Sequence, residues 1–271
     1  MKIFKDRKSL ISEISTLKKI AFIPTMGALH KGHISLINKA KKKSNQVLVT
    51  IYVNPKQFNS KKDFKEYPRK LNKDIATLRN IKTDYLYIPT NKDIYSFKPE
   101  TTIYLDSFSK ILCGKFRPFH FKEVVNIVGR FLDIIKPKYL YLGMKDFQQL
   151  ALIKSHIVKN KIKTQLIPCL TIREKNGTAL SSRNLKLNKN QLKNAGKIYK
   201  YIKNNKKLIL YKILNKKRSE VFSKLIELGA NKIDYIECIN LIKKKICKSS
   251  RSKFNVAIAY YMGDVRLIDN L

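Results

Sequence analysis

The sequence predicts an α/β protein, with a Rossmann-like parallel-sheet domain over residues 1–183 and a smaller α+β domain over residues 184–271. Three observations carry that expectation. Short β-rich runs alternate with amphipathic segments through the first two thirds of the chain, as βα units around a parallel sheet require. One run, Val47–Val53, is almost unbroken in β-branched and apolar residues, which suits a strand buried on both faces. After Arg183 the texture changes to lysine-rich helical stretches followed by β-like runs.

The elements follow in order. Ile20–Pro24 reads as the first strand and Ile34–Lys43 as its helix, with Val47–Val53 as the second strand. Lys70–Asn80 has helical character, and Tyr85–Pro89 is strand-like. Val124, Ile127, Val128, Phe131, Leu132 and Ile135 recur at helical spacing until Pro137 stops the run. Tyr139–Leu142 is a strand leading into a helix near Asp146–Val158, and Lys163–Pro168 is a further strand before a turn at Asn176-Gly177. In the second domain, Asn188–Leu214 and Ser219–Leu228 read as helical. Asn255–Tyr261 and Asp264–Ile268 form a hairpin across Gly263. No internal repeat or low-complexity linker interrupts the 271 residues.

A net charge of +39 first suggests a nucleic-acid partner. The composition argues otherwise: the cations are 48 Lys and only 10 Arg, whereas phosphate and base recognition leans on guanidinium forks. Abundant Lys, Ile and Asn beside scarce Ala and Gly follow A/T-rich codons, so specific nucleic-acid binding is not expected. A hydrophobic content of 44% excludes a disordered polycation. No apolar run approaches the roughly 18 residues of a membrane span. Lysine-rich Met1–Ser9 is followed by neither an apolar stretch nor a small-residue cleavage site. Cys113, Cys169, Cys238 and Cys247 are scattered without metal-ligand spacing. A reduced, cytoplasmic chain is the expectation.

Two of the four histidines lie in Pro24-Thr25-Met26-Gly27-Ala28-Leu29-His30-Lys31-Gly32-His33, which joins a strand to a helix. Open parallel sheets bind ligands at such loops. Gly27 permits a tight turn, and Gly32 lets a phosphate approach N–H groups at the positive end of the helix. Imidazoles three residues apart can supply hydrogen bonds or a proton to oxygens gaining charge. Metal ligation and ordinary helix capping are the competing readings of the pair.

The HxGH stretch resembles the nucleotidylyltransferase superfamily. Four further segments narrow the likeness: Tyr52-Val53-Asn54-Pro55-Lys56-Gln57-Phe58 with Tyr67-Pro68-Arg69; Gly143-Met144-Lys145-Asp146-Phe147-Gln148-Gln149-Leu150; Ala179-Leu180-Ser181-Ser182-Arg183-Asn184; and Gly263-Asp264-Val265-Arg266-Leu267-Ile268-Asp269-Asn270. In this order the chain resembles the pantoate–β-alanine ligases over its whole length.

That resemblance implies an ATP-dependent ligase that forms pantoyl adenylate and then pantothenate, releasing pyrophosphate and AMP, with Mg2+ assisting. It implies that Met26, Gly27, Ala28, Leu29, His30, Lys31, Gly32 and His33 form the first ATP loop, with His33 as proton donor and His30 beside it on the phosphates. Gly143, Met144, Lys145 and Asp146 form a second ATP-binding stretch, in which Lys145 is a point charge by the phosphates and Asp146 accepts from ribose hydroxyls. Ile172 flanks the adenine, and Leu180, Ser181, Ser182 and Arg183 form a further phosphate loop. Gln57 and Gln149 hold pantoate, and an amide that both donates and accepts suits a hydroxy-acid. The resemblance further implies that the second domain acts as a lid and that the protein forms a homodimer.

Each residue has a bland alternative. Gln57 as a loop residue, Gln149 as a helix-face residue, and Asp146 and Ser181-Ser182 as helix caps are the main ones. The chain also departs from the family pattern. In Arg117-Pro118-Phe119-His120-Phe121-Lys122-Glu123, the family's two glycines are replaced by Phe119 and Glu123, which implies strain wherever φ is positive. His156 lies outside every motif and is expected to be structural or exposed.

Overall fold

The computed structural model describes residues 1–249 and 253–271. The chain divides into two compact units, Met1–Ser109 with Arg117–Leu170, and Lys110–Phe116 with Thr171–Leu271.

The first unit is built on a six-stranded sheet. Its strands are β1 (Lys2–Phe4), β2 (Ile20–Thr25), β3 (Gln46–Ile51), β4 (Tyr85–Tyr87), β5 (Tyr139–Gly143) and β6 (Gln165–Cys169). All pair in parallel, in the order β1-β4-β3-β2-β5-β6. Parallel strands are covered on both faces, and Ile20, Ala21, Phe22 and Ile23 of β2 are accordingly all buried. Helix His120–Ile135 is the most apolar cover, burying residues on every turn, and its Phe131 ring meets Phe22, Tyr52 and Tyr87 edge-on. It begins four residues earlier than the Val124 pattern implies, because His120 and Phe121 are also buried.

The chain order makes β2 the turning point. From β2 the chain steps to β3 and β4 on one side, then crosses back to β5 and β6 on the other. Connections leave in opposite directions there, so a crevice opens beyond the carboxyl ends of β2 and β5. The Met26–His30 loop follows β2, and Gly143–Asp146 follows β5.

The second unit carries an antiparallel sheet of β7 (Lys232–Asn240), β8 (Lys245–Ile246), β9 (Asn255–Met262) and β10 (Val265–Asn270), ordered β10-β9-β7-β8. Helices Lys189–Asn204, Lys206–Leu214 and Arg218–Glu227 supply Ile198, Ile202, Ile209, Val221 and Leu225 to one core with Ile236, Val256 and Ile258 of the sheet. The single helical stretch read over Asn188–Leu214 breaks at Asn205, whose side chain donates back to Tyr201 O.

The division falls between residues 170 and 171 rather than at 183/184, and Lys110–Phe116 belongs to the second unit. The Thr171–Leu180 segment is fastened there by the ion pair of Arg173 with Asp269 of β10 at 2.6 and 2.9 Å. The turn at Asn176-Gly177 forms as expected, with Gly177 at φ 95° lying so close to Tyr199 that a Cβ would stand 2.0 Å from its ring. Among the described residues no helix is long and apolar enough to cross a membrane.

Candidate active site

Helix Lys31–Lys41 starts on a reciprocal cap made by the two histidines. His30 is the N-cap, with its Nδ1 accepting from Gly32 N at 3.1 Å, while His33 Nδ1 accepts from His30 N at 3.3 Å. The rings lie 4.1 Å apart. Because both Nδ1 atoms accept, the proton of each neutral ring sits on Nε2. Helix capping and a functional role are therefore compatible here, since the cap uses one nitrogen and leaves the other as a donor. Burial first, then the Lys145 charge, pushes His30 down to about 4, with Asp146 opposing. Burial, His30 and Lys145 push His33 down to about 3. At neutral pH the two rings are thus uncharged Nε2–H donors rather than imidazolium ions. A triphosphate placed against them would favour protonation, because its charge opposes the effect of Lys145.

The turn before this helix is tied down from within. Gly27 (φ 75°) and Ala28 (φ 49°) are both left-handed. Thr25 Oγ1 accepts from Gly27 N at 3.2 Å, and the carboxylate of Asp74 accepts from Ala28 N and Leu29 N at 2.8 Å each. The amides expected to face a phosphate are therefore engaged by the protein's own side chains, including that of Gly32. Asp74 has no place in the motifs singled out by sequence, because a carboxylate in the Lys70–Asn80 pattern reads as one more polar helix residue.

Gln57 closes a 3-10 turn after β3 and is buried. Its Nε2 donates to Met26 Sδ at 2.7 Å, and a thioether is a weak acceptor. Its carbonyl accepts from His120 Nδ1 at 2.8 Å and Arg117 Nη2 at 3.4 Å, while Arg117 Nη1 donates to His120 Nε2 at 3.1 Å. Arg117 and His120 thus serve the Gln57 turn, a role hidden until the loop is folded. Asn54, which caps the same turn, is 1% exposed, and its Nδ2 has no partner among the described residues. A buried donor without an acceptor is uncommon and points toward a ligand oxygen.

After β5, Lys145 Nζ stands 3.4 Å from Asp146 Oδ1. Asp146 lies at the N-cap of helix Phe147–Lys159 without a side-chain cap bond, so capping does not account for it. Of the adjacent glutamines, Gln148 donates to Phe108 O at 2.7 Å, whereas Gln149 is half-buried on the first turn of the helix.

The remaining expected residues belong to the second unit. Ile172 O accepts from Leu180 N at 3.0 Å across the hairpin. Ser181 caps the 3-10 helix Ser182–Lys186 by accepting from Arg183 N at 3.2 Å, and Ser182 is buried. Phe119 occupies a left-handed position (φ 64°) and is 78% exposed, so the strain inferred from the missing glycine is present there. Glu123 is not strained, because it lies inside the helix with its N–H on Phe119 O. His156 is buried, its Nδ1 accepting from Tyr104 N at 3.3 Å, which is a structural placement.

Comparison with known proteins places the whole chain in one family. The sequence model of the family described as pantoate-beta-alanine ligase matches residues 2–271. A pantothenate synthetase of Thermodesulfovibrio yellowstonii is 38% identical over 94% of this chain and 91% of its own length. That of Francisella tularensis subsp. novicida is 39% identical over 97% and 92%. Among solved structures, the pantoate-beta-alanine ligase of Francisella tularensis, complexed with beta-gamma ATP and beta-alanine, superposes with a TM-score of 0.85 at 39% identity, covering 100% of this chain and 97% of that one. The enzyme from Thermus thermophilus gives 0.90 at 27% identity, covering 100% and 99%. The chain belongs to the pantoate–β-alanine ligase family and is an ATP-dependent enzyme that condenses pantoate with β-alanine.

Proposed function

We propose that the nucleotide is held over the His30–His33 loop and that Gln57 and Gln149 hold pantoate. The pantoate carboxylate attacks the α-phosphorus, the bond to the β-phosphate oxygen breaks, and pyrophosphate leaves. The amine of β-alanine then attacks the acyl carbon of pantoyl adenylate, losing a proton as AMP departs with the bridging oxygen. The observation that carries this reading is the pair of locked imidazoles at the sheet's turning point, each presenting an Nε2–H beside the charge of Lys145. Fixed donors aimed where charge accumulates stabilise such a transition state.

His33, His30 and Lys145 are the proposed catalytic groups. Met26 to His33, Gly143 to Asp146, Ile172 and Leu180 to Arg183 are the proposed nucleotide contacts, the last two sets on the strength of the family resemblance. The Gln57 amide rests on a thioether that a ligand oxygen readily replaces, and Asn54 Nδ2 offers an adjacent donor. Magnesium enters as part of the Mg–ATP substrate, since this ion keeps phosphate oxygens and waters as most of its ligands. Among the described residues no three His, Cys, Asp or Glu side chains group to hold a metal. We also propose a cytoplasmic homodimer, to be checked by sedimentation.

The deciding assay uses purified protein with pantoate and Mg–ATP. AMP release that depends on β-alanine, with pantothenate formed in equal amount, is expected. Stable accumulation of a dinucleotide product would instead assign a nucleotidyl transfer that stops at its first step.

A further inference from the structure

We propose that Asp74 is a positioning residue for nucleotide activation: its carboxylate fills the amide nest of the Gly27–Leu29 turn and so fixes the two imidazoles that meet the triphosphate. This rests on the nucleotide-binding role proposed above for the His30–His33 loop.

Successive left-handed residues, Gly27 and Ala28, turn neighbouring N–H groups toward one point. Such a concavity ordinarily captures an external anion. Here the anion is internal. Asp74 comes from helix Leu71–Asn80, is 2% exposed, and places one oxygen on each of Ala28 N and Leu29 N at 2.8 Å. Both oxygens accept, so the ionised form fits and a protonated carboxyl would turn an O–H toward an N–H. Burial raises the Asp74 carboxyl above its ordinary range, while the two amide bonds and then Lys70 and Lys73 oppose this.

The fit leaves no slack. A Cβ at Gly27 would stand 3.0 Å from Asp74 Oδ2 and 3.1 Å from Ile51 Cγ2. The turn therefore joins three elements, β2, β3 and the Asp74 helix, immediately before His30. With Ala28 and Leu29 on Asp74, Gly27 on Thr25 and Gly32 on His30, these four amides are engaged by the protein itself, and the two imidazoles add side-chain donors beside them. The precision of those donors then depends on the carboxylate.

Asp74→Asn keeps the shape but turns one acceptor into a donor facing an N–H. The expected result is a fall in kcat/KM for ATP of about tenfold to a hundredfold, as misplacement by about an ångström produces. The KM for pantoate stays within about twofold of wild type, because the Gln57 turn is separately held by His120 and Arg117. Leu78→Ala, a core truncation on the same helix, controls for general loosening. It is expected to lower the thermal midpoint at least as much with the ATP KM unchanged. Unaltered ATP kinetics in folded Asp74→Asn, or an equal ATP effect in Leu78→Ala, overturns the proposal. Should Asp74→Asn not fold, Asp74→Glu reads the same contact by keeping the charge and lengthening the arm: a rise confined to the ATP KM supports it, and an unchanged ATP KM or an equal rise for pantoate refutes it. Wild-type protein is assayed alongside, so a missing β-alanine-dependent AMP release marks failure of the underlying reading and not of this one.

Discussion

The candidate site in the first unit and the charged groups of the second unit are held in different ways. In the second, charges close on each other: Arg266 Nε on Asp234 at 2.7 Å, Arg173 on Asp269 at 2.6 Å, and Arg218 on Glu237 at 2.8 Å. In the first, polar groups are oriented but only partly engaged. His30 and His33 use one nitrogen each, Gln57 leans on a sulfur, and Asn54 Nδ2 has no partner among the described residues. Saturated pairs fix a fold, whereas oriented and under-used groups are what a ligand completes. The terminal motif Gly263–Asn270 therefore contributes through structure, since its Arg266 and Asp269 are both committed to ion pairs.

If that contrast is right, mutations in the two units separate stability from activity. The largest effect is expected for Asp234→Ala, which leaves the Arg266 guanidinium buried beside the Cys113 thiol. Loss of one partner of a buried pair should destabilise by about 3–5 kcal/mol, read by denaturant titration. A loss under about 1 kcal/mol would break the comparison. His33→Ala should do the reverse, lowering kcat by about 10²–10³ with the folded state retained by circular dichroism. Near-wild-type turnover would remove His33 from the mechanism.

The same histidines predict an acid limb in stability. In the unfolded chain they gain protons below about pH 6.5. In the folded chain they gain them only near about 4 and 3. The unfolded state thus binds more protons in that interval, so their contribution is complete above about pH 6.5 and is lost as pH falls toward 4. Replacing both by Gln should flatten the difference in denaturation midpoint between about pH 7.5 and 4.5, and an unchanged slope would refute the assignment. Next in size, Gln57→Ala should raise the pantoate KM about tenfold, the value of one well-placed hydrogen bond to a charged group, with the ATP KM little changed. Equal shifts in both would count against a pantoate role. The smallest effect is Phe119→Gly, which relieves a left-handed side chain and should stabilise by about 1 kcal/mol without altering turnover. A lower thermal midpoint would show that Phe119 makes compensating contacts.

Much of the first unit was legible because its strands are apolar runs and its helices carry one clear face. Strands β2, β3, β5 and β6 form within one or two residues of their predicted ends. Edge strand β1 (Lys2–Phe4) was missed, being three residues long with no pattern of its own. Central strand β7 (Lys232–Asn240) was missed for another reason: Asp234 and Glu237 interrupt it as solvent-facing charges would, yet both are buried by pairing with Arg266 and Arg218. Nothing local to 232–240 reveals those partners. At the site, the histidine pair, the glutamines and Lys145 were found through motifs, while Asp74, Asn54 and the Gln57-directed roles of Arg117 and His120 emerged only when distant segments met.

The +39 charge, the most conspicuous feature of the composition, decides little of this. By itself the sequence determined the α/β class, most of the strands and helices of the parallel-sheet unit, and the loops that carry the chemistry, because hydrophobic period and glycine-containing turns act over a few residues. Tertiary structure alone decided which nitrogen of each histidine is left to donate, that the first loop's amides are filled by Asp74, and that the unit boundary falls at 170/171. The histidine cap closes within three residues but needs the helix start to be formed, while the Asp74 contacts and the unit boundary depend on residues tens of positions apart, which local sequence pattern does not encode.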